Sequence, residues 1–310
     1  MDILNSLVPV FLIVVLGGVL RRTGFLSAEL VQGCNRLCYW VGLPALLFNE
    51  IARSHSGFGA HAAAIAVLTL AILLAAALGY GAARLLHTPR GTTATVVQAS
   101  FRGNLAFVGL PVIWLYAAST GQASGDAPAL LLGVGTLVAN TVAVIVLLLG
   151  NQSRLDARAL RIIGRQLVSN PLIIACVAGA LWVMSRQTLP TAAESTLRAV
   201  GQIASPLALL GIGATLQATR LGRKGRSTVW VASLVKTLPV PLVAYALVML
   251  ANLTPWESRA ILVYMACPTA AASYLLVEQI GGDRVVAAGA VVLSTLLSFL
   301  SLALVLWLPV

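Results

Sequence analysis

The sequence has very little charge. Of its 310 residues only 9% are charged, whereas 59% are hydrophobic, and an ordinary globular protein has about 25% charged residues. So few charges cannot cover a water-facing surface, which excludes a soluble protein. Disorder is excluded as well, because disordered chains have too little apolar surface to bury. The sequence therefore predicts an integral membrane protein.

Residues that commonly carry out chemistry are also scarce. The chain has four cysteines, all within apolar stretches, and three histidines, and none of them has zinc-site spacing. It contains no phosphate-binding loop, dinucleotide-binding turn, H-E-x-x-H or G-x-S-x-G motif. The net charge of +11 comes largely from arginines in short loops, which membrane topology accounts for. We therefore predict no enzyme, no cofactor, no metal site and no nucleic-acid partner.

What the sequence does have is long apolar runs, which predict ten membrane-spanning helices. A helix needs about 20 apolar residues to cross the hydrocarbon core. One such stretch, residues 31–52, is interrupted by Arg36 and Glu50. The other nine are free of charge: residues 3–20, 62–83, 103–125, 127–153, 166–185, 199–219, 237–256, 260–277 and 285–310. The predicted fold class is an all-α integral membrane protein.

The distribution of Lys and Arg predicts the orientation of these helices. One set of alternate loops holds thirteen basic residues: Arg21, Arg22, Arg84, Arg90, Arg154, Arg158, Arg161, Arg165, Arg220, Arg223, Lys224, Arg226 and Arg284. The other set holds four, namely Arg53, Arg186, Arg198 and Arg259. Because cytoplasmic loops carry the excess of Lys and Arg, the first set is predicted to be cytoplasmic and both termini to face outside.

The chain divides into two halves of five spans each. The most polar stretch, residues 151–166, is predicted to be a cytoplasmic loop between a first repeat, residues 1–150, and a second, residues 167–310. An odd number of helices in each half makes the second half inverted, an arrangement typical of transporters. Prolines lie at matching places: Pro44 and Pro206 are 162 positions apart, and Pro111 and Pro268 are 157 apart.

The fourth span combines a mid-span proline with polar residues. Ser100, Arg102 and Asn104 precede Pro111. A proline removes one backbone donor, and the carbonyls it frees need a partner in hydrocarbon, so matched breaks indicate a midplane binding site, although simple kinks are the alternative. Asn104 can donate a hydrogen bond to a carboxylate and also accept one. Arg102 either attracts anions or pairs with a structural partner.

The ninth span carries the matching proline. Thr269, Ser273 and Tyr274 follow Pro268, at the predicted start of a new half-helix. Exposed N–H groups and the positive dipole end there favour an anion. No pair of acidic residues lies at mid-depth to bind a cation, which favours an anionic substrate. Lys236 lies well inside the eighth span, where it needs a polar partner or lines a substrate path.

Five segments together resemble the auxin efflux carrier family, which includes plant auxin efflux carriers and bacterial malate and malonate transporters. They are NRLCYWVGLPALLF (35–48), NLAFVGLP (104–111), NPLIIACVAGALW (170–182), SPLALLGIGATL (205–216) and CPTAAASYLLVEQIGGD (267–283). The resemblance implies two inverted five-helix repeats, a scaffold and a transport domain, and broken helices 4 and 9 that cross at the site. It matches Asn104 to an asparagine that contacts the carboxylate of the hormone in plant members.

The short central loop resembles bacterial members, which implies a bacterial inner membrane location and argues against auxin as the substrate. The function we expect is secondary transport of a small organic carboxylate such as malonate or malate, by elevator-type alternating access. The expected partners are this substrate, the lipid bilayer and a second copy in a homodimer, which the resemblance suggests packs through the spans of Pro44 and Pro206. The alternatives are a sodium-coupled organic anion symporter and a membrane receptor that binds a ligand without moving it.

Overall fold

The computed structural model describes residues 2–53, 57–122, 125–151, 161, 164–165, 168–218 and 226–310. Asn151, the first residue of the predicted central loop, ends a helix, and most of the remaining loop lies outside the described residues, as do Arg154, Arg158, Arg220, Arg223 and Lys224. The described part is helical throughout, apart from short connections.

Sixteen α-helices and two π-helices make up the described residues. In chain order they are α1 (Asp2–Arg22), α2 (Ala28–Leu37), π1 (Cys38–Gly42), α3 (Leu43–Ala52), α4 (Gly57–Ala60), α5 (Ala62–Leu85), α6 (Arg90–Phe101), π2 (Leu105–Gly109), α7 (Leu110–Thr120), α8 (Ala127–Asn151), α9 (Pro171–Met184), α10 (Thr191–Gln202), α11 (Ala204–Ala218), α12 (Arg226–Thr237), α13 (Pro239–Leu250), α14 (Pro255–Ala266), α15 (Ala272–Ile280) and α16 (Arg284–Trp307).

Several helical stretches are long and apolar enough to cross a membrane. Among the described residues five qualify: Ala62–Leu85, Ala127–Asn151, Thr191–Thr215, Ser227–Leu250 and Arg284–Trp307. The third runs through α10 and α11, and the fourth through α12 and α13. Shorter apolar helices cover Leu105–Thr120 and Pro171–Met184. The all-helical membrane class is thus confirmed.

Two of the charge-free stretches are parts of longer spans, as expected from placing Arg102 inside the fourth span and Lys236 well inside the eighth. Residues 103–125 are preceded by α6, which starts at Arg90, and residues 237–256 are preceded by α12, which starts at Arg226. The charge inside the eighth span is accommodated within the protein, since Lys236 is fully buried and bonded to a carbonyl.

A short sequence, Val-Gly-Leu-Pro, occurs twice and has the same local structure each time. Pro44 and Pro111 each lie one residue after a leucine whose N–H donates to the carbonyl five residues back, Leu43 to Cys38 and Leu110 to Leu105. A proline ring clashes with the carbonyl four residues earlier, and widening the turn to π geometry moves that carbonyl away. The motif therefore accounts for both π-helices.

The helices pack as two bundles. The first bundle consists of α1, α2, π1, α3, α9, α10 and α11, in which α1 packs along α11 and α3 packs on α9 and α10. Small residues permit the close contact of α1 with α11, since a side chain on Gly17 would collide with the Leu210 carbonyl. The second bundle consists of α5, α6, π2, α7, α8 and α12–α16, with α6 between α5 and α8 and α12 against α16.

The two bundles meet along an apolar boundary. Helix α1 contacts α7 and α16, and α9 contacts α8. The rings of Phe11 on α1 and Phe299 on α16 pack edge to face, with centroids 5.0 Å apart. The buried core runs through the second bundle and continues across this boundary, so polar groups in the second bundle lie deep within the protein.

Candidate functional site

Two short non-helical segments meet in the interior of the second bundle. Helix α6 ends at Phe101 and α14 ends at Ala266. Beyond these ends, the Asn104 N–H donates to the Pro268 carbonyl at 2.8 Å and the Ala270 N–H donates to the Arg102 carbonyl at 2.9 Å. The pairing is antiparallel, with Gly103 opposite Thr269. We call these paired segments, residues 102–104 and 268–270, the crossing.

Each segment leaves the helix for a local reason. Proline disfavours helical geometry in the residue before it, and Cys267, before Pro268, is extended with φ −57° and ψ 148°. The other segment contains Gly103, where a Cβ atom would lie 2.9 Å from the Tyr264 carbonyl oxygen and 3.3 Å from Lys236 Nζ. Only glycine allows these two segments of the chain to approach this closely without a shift of the backbone.

The carbonyls freed at the two helix ends have partners within the protein. The Thr269 hydroxyl donates to the Ala99 carbonyl at 2.8 Å, and Lys236 Nζ donates to the Met265 carbonyl at 2.9 Å. The Thr269 N–H donates to Ser294 Oγ on α16 at 2.9 Å. Since unsatisfied backbone groups are very unfavourable in a membrane interior, these contacts explain how the helices can end there.

Asn104 differs from its neighbours in having an unused side chain. The residue is 6% exposed, and its backbone N–H and C=O take part in hydrogen bonds at the crossing and in π2. None of the hydrogen bonds among the described residues involves its side-chain amide. This amide is therefore available to a ligand.

Arg102 is held by neutral side chains. Its Nε and Nη2 donate to Asn140 Oδ1 on α8, at 3.2 and 2.8 Å, and its Nη1 donates to Ser273 Oγ on α15 at 3.3 Å. Tyr39, on π1 of the first bundle, lies within electrostatic range of the guanidinium. Arg102 therefore has structural partners and also a charge that none of the described acidic residues neutralises.

Further polar residues connect to this network. The Gln98 amide nitrogen donates to the Ser273 carbonyl at 3.3 Å, and its buried oxygen has no partner among the described residues. Lys236 is the second cation at the crossing. In the described part of the chain, the crossing thus combines two cationic side chains with neutral donors and acceptors, and no carboxylate bonds to any of them. This electrostatic environment favours an anion.

The structure brings most of the predicted site residues together. Arg102, Asn104, Pro268 and Thr269 form the crossing, and Ser273 contacts Arg102. Tyr274 lies one residue further along α15 and is partly buried.

Two predicted site residues lie apart from the crossing. Ser100 faces Gly79 on α5 and donates to the Val96 carbonyl at 2.8 Å. Pro111 is the second residue of α7, beyond π2. Pro268 lies within a non-helical segment and Pro111 does not, so the two prolines predicted to match do not hold equivalent positions.

Sequence reasoning missed Asn140, Tyr39 and Ser294. Asn140 is the one of the three with a sequence signal, because it is an amide in the middle of the long apolar stretch of α8. Tyr39 and Ser294 come close to the crossing through packing between distant segments, which a single sequence does not reveal. Among the described residues no group of three or more His, Cys, Asp or Glu side chains could hold a metal ion.

Nearly the whole chain is similar to a known protein family. Residues 2–306 match the family described as membrane transport protein. None of the curated proteins compared with the chain matches it. The family match covers nearly the full length and agrees with the resemblance carried by the five sequence segments and with the apolar helices of the structure. The chain is a multi-pass membrane protein that belongs to the membrane transport family of the auxin efflux carriers.

Proposed function

We propose that this protein is a secondary transporter of small organic carboxylate anions, and that the substrate binds at the crossing. The observation that carries the proposal is a pair of non-helical segments hydrogen-bonded to each other inside the helical second bundle, with the unpartnered Asn104 amide on one of them. Broken helices near the middle of the membrane are where transporters of this kind bind substrates.

An anion suits the groups at the crossing. Arg102 and Lys236 supply positive charge, the Asn104 amide can donate a hydrogen bond, and α15 begins with the positive end of its dipole close to the crossing. A small carboxylate would satisfy the Asn104 amide and balance the charge of Arg102. Binding of a substrate in a water-poor site makes each of these interactions stronger than it would be in water.

The two bundles supply a means of movement. We infer ten spans in two inverted five-helix repeats, with boundaries at residues 1–150, 151–166 and 167–310, and with helices 4 and 9 of that count broken at the crossing. The second bundle carries the crossing, so that an elevator-type movement of the second bundle along the first would expose the site to each side in turn.

The arginine distribution and the short central loop support an orientation with both termini outside and a location in a bacterial inner membrane. This orientation predicts that a cysteine at the exposed Arg284 position reacts with an impermeant reagent added on the cytoplasmic side, and that a cysteine at Arg186 reacts from the outside. The reverse labelling pattern would contradict it. The proposal also includes a homodimer built through the first bundle.

Uptake into proteoliposomes tests the function. Labelled malonate and malate are supplied with an imposed pH or sodium gradient, using the wild-type protein and Asn104→Ala. A hydrogen bond to a charged group contributes about 1.5–3 kcal/mol, so we expect Asn104→Ala to weaken transport by about ten- to a hundredfold. Ser100→Ala is a matched control that should transport normally, because Ser100 faces α5. A wild-type uptake rate in Asn104→Ala would show that the substrate does not bind at the crossing.

The gradients also separate the alternatives. A sodium-coupled symporter would show uptake that depends on the sodium gradient and saturates with sodium, whereas a non-transporting receptor would bind the acid and show no flux. Absence of flux with malonate and malate would lead next to monocarboxylates. Absence of flux across a broad panel of acids, with binding retained, would favour the receptor.

A further inference from the structure

Asn140 holds the guanidinium of Arg102 in one orientation. A single atom, Asn140 Oδ1, accepts hydrogen bonds from Nε at 3.2 Å and from Nη2 at 2.8 Å, so it occupies one whole edge of the planar group. Ser273 Oγ accepts from Nη1 at 3.3 Å. With contacts to α8 and α15, the arginine on the crossing is fixed by two helices of the second bundle.

The N–H groups of Arg102 that have no partner indicate what the guanidinium can bind. A guanidinium has five N–H groups, and three of those on Arg102 are bonded to Asn140 and Ser273. Two remain without a partner among the described residues, one on each terminal nitrogen. With Ser273 on the Nη1 hydrogen nearer Cδ, the two free N–H groups share one edge of the guanidinium. A carboxylate can then accept from both at once through its two oxygens, which is the strong, planar way in which arginine binds this group.

We propose that Asn140 is a positioning residue for substrate binding: it fixes Arg102 so that the two terminal nitrogens bind one carboxylate of the substrate. This inference rests on the proposed function and adds to it the residue that selects a planar carboxylate. Asn140 is suited to the role because its amide oxygen is neutral. It orients the guanidinium and leaves its charge available to the substrate, whereas an aspartate at the same position would neutralise it.

Binding measurements on the full-length protein in detergent test this role. The probes are malonate, which has planar carboxylates, and methanedisulfonate, an anion of the same charge with tetrahedral groups. Asn140→Asp and Asn140→Leu are compared with wild type. The matched control is Thr141→Val, because the neighbouring Thr141 hydroxyl only donates to the Leu137 carbonyl of its own helix.

We expect Asn140→Asp to lower malonate affinity by at least about tenfold, because the new carboxylate occupies the guanidinium. In Asn140→Leu the guanidinium keeps only its contact with Ser273 and is less firmly oriented, so the preference for malonate over methanedisulfonate should fall by at least about threefold. Loss of this preference is a result that a purely structural role for Asn140 would not produce. Thr141→Val should bind both probes as the wild type does.

Other results would overturn the proposal. If both Asn140 variants keep wild-type malonate affinity and preference while Asn104→Ala loses affinity, Asn140 has no positioning role and the proposed function stands. If Asn140→Asp does not fold, the preference measured in Asn140→Leu decides the question. If the wild type neither binds nor transports malonate or any other carboxylate, the proposed function fails and this inference with it.

Discussion

Gly103 shows how one residue fixes the geometry of the crossing. Its neighbour Asn104 donates from its backbone N–H to the Pro268 carbonyl, and this bond requires the two segments to lie side by side. At Gly103 the space for a side chain is already filled by the Tyr264 carbonyl and by Lys236. The buried Lys236 ammonium also satisfies the Met265 carbonyl, so this position joins the two segments and α12.

We predict that Gly103→Ala destabilises the protein by about 1–3 kcal/mol, since an added methyl in a filled interior forces the backbone to shift. The measurement is the midpoint of thermal unfolding in detergent. Gly81→Ala on α5 is the matched control, because nothing lies within 4 Å of a Cβ there and alanine is the better helix former. If Gly103→Ala unfolds at as high a temperature as Gly81→Ala, then Gly103 and the Tyr264 carbonyl do not lie in close contact.

At the scale of helices, the ends of α5, α8 and α14 are joined by a buried polar cluster. His61, just before α5, donates from Nδ1 to Glu257 Oε1 at 2.7 Å, and its Nε2 lies 3.4 Å from Asp126 Oδ1, just before α8. The Nε2 contact lacks hydrogen-bond geometry. Glu257 also completes a capping box with Thr254 at the start of α14, so one carboxylate serves both its own helix and α5.

Removal of that carboxylate should loosen these helix ends. We predict that Glu257→Ala costs about 2–4 kcal/mol, from the lost cap and from the buried His61 nitrogen that loses its partner. Glu278→Ala is the control: Glu278 lies 3.6 Å from Arg284 and the two side chains are 42% and 62% exposed, so its loss should cost under about 1 kcal/mol. Equal unfolding midpoints for the two variants would show that the cluster contributes little.

The sequence predicted helical elements better than it predicted what lies between them. Hydrophobic runs identify the membrane helices because the bilayer demands an apolar stretch of fixed length. Charge-free runs by themselves stop at Arg102 and Lys236, which lie inside spans and bond to groups from distant segments. The identical π-helices were not predicted either, although their cause, the repeated Val-Gly-Leu-Pro, is present in the sequence.

At the scale of the whole molecule, local pattern indicated where the site lies and long-range packing determined which side chains complete it. Asn104 and Pro268 could be selected because a helix-breaking residue in an apolar run is conspicuous. Asn140 and Tyr39 could not be assigned, since their proximity to Arg102 depends on how α8 and π1 pack. The division into two bundles likewise depends on contacts between helices far apart in the chain, such as α1 with α11.

The boundary between the bundles offers a direct test of movement. Gly133 on α8 of the second bundle faces Cys176 on α9 of the first, and a Cβ atom at Gly133 would lie 3.1 Å from Cys176 Cβ. Disulfides need about 3.5–4.5 Å between these atoms, so a small shift of the helices lets Gly133→Cys form a bond with Cys176.

We predict that oxidation of Gly133→Cys stops carboxylate flux and that a reductant restores it, because a covalent link between the bundles prevents the second from moving along the first. The measurement is uptake into proteoliposomes before and after each treatment, with cross-linking followed by loss of reactive thiol. Gly133→Cys combined with Cys176→Ser is the control and should transport equally under both conditions. Full flux through a cross-linked protein would show that transport needs no relative movement of α8 and α9, and would contradict the elevator mechanism at this boundary.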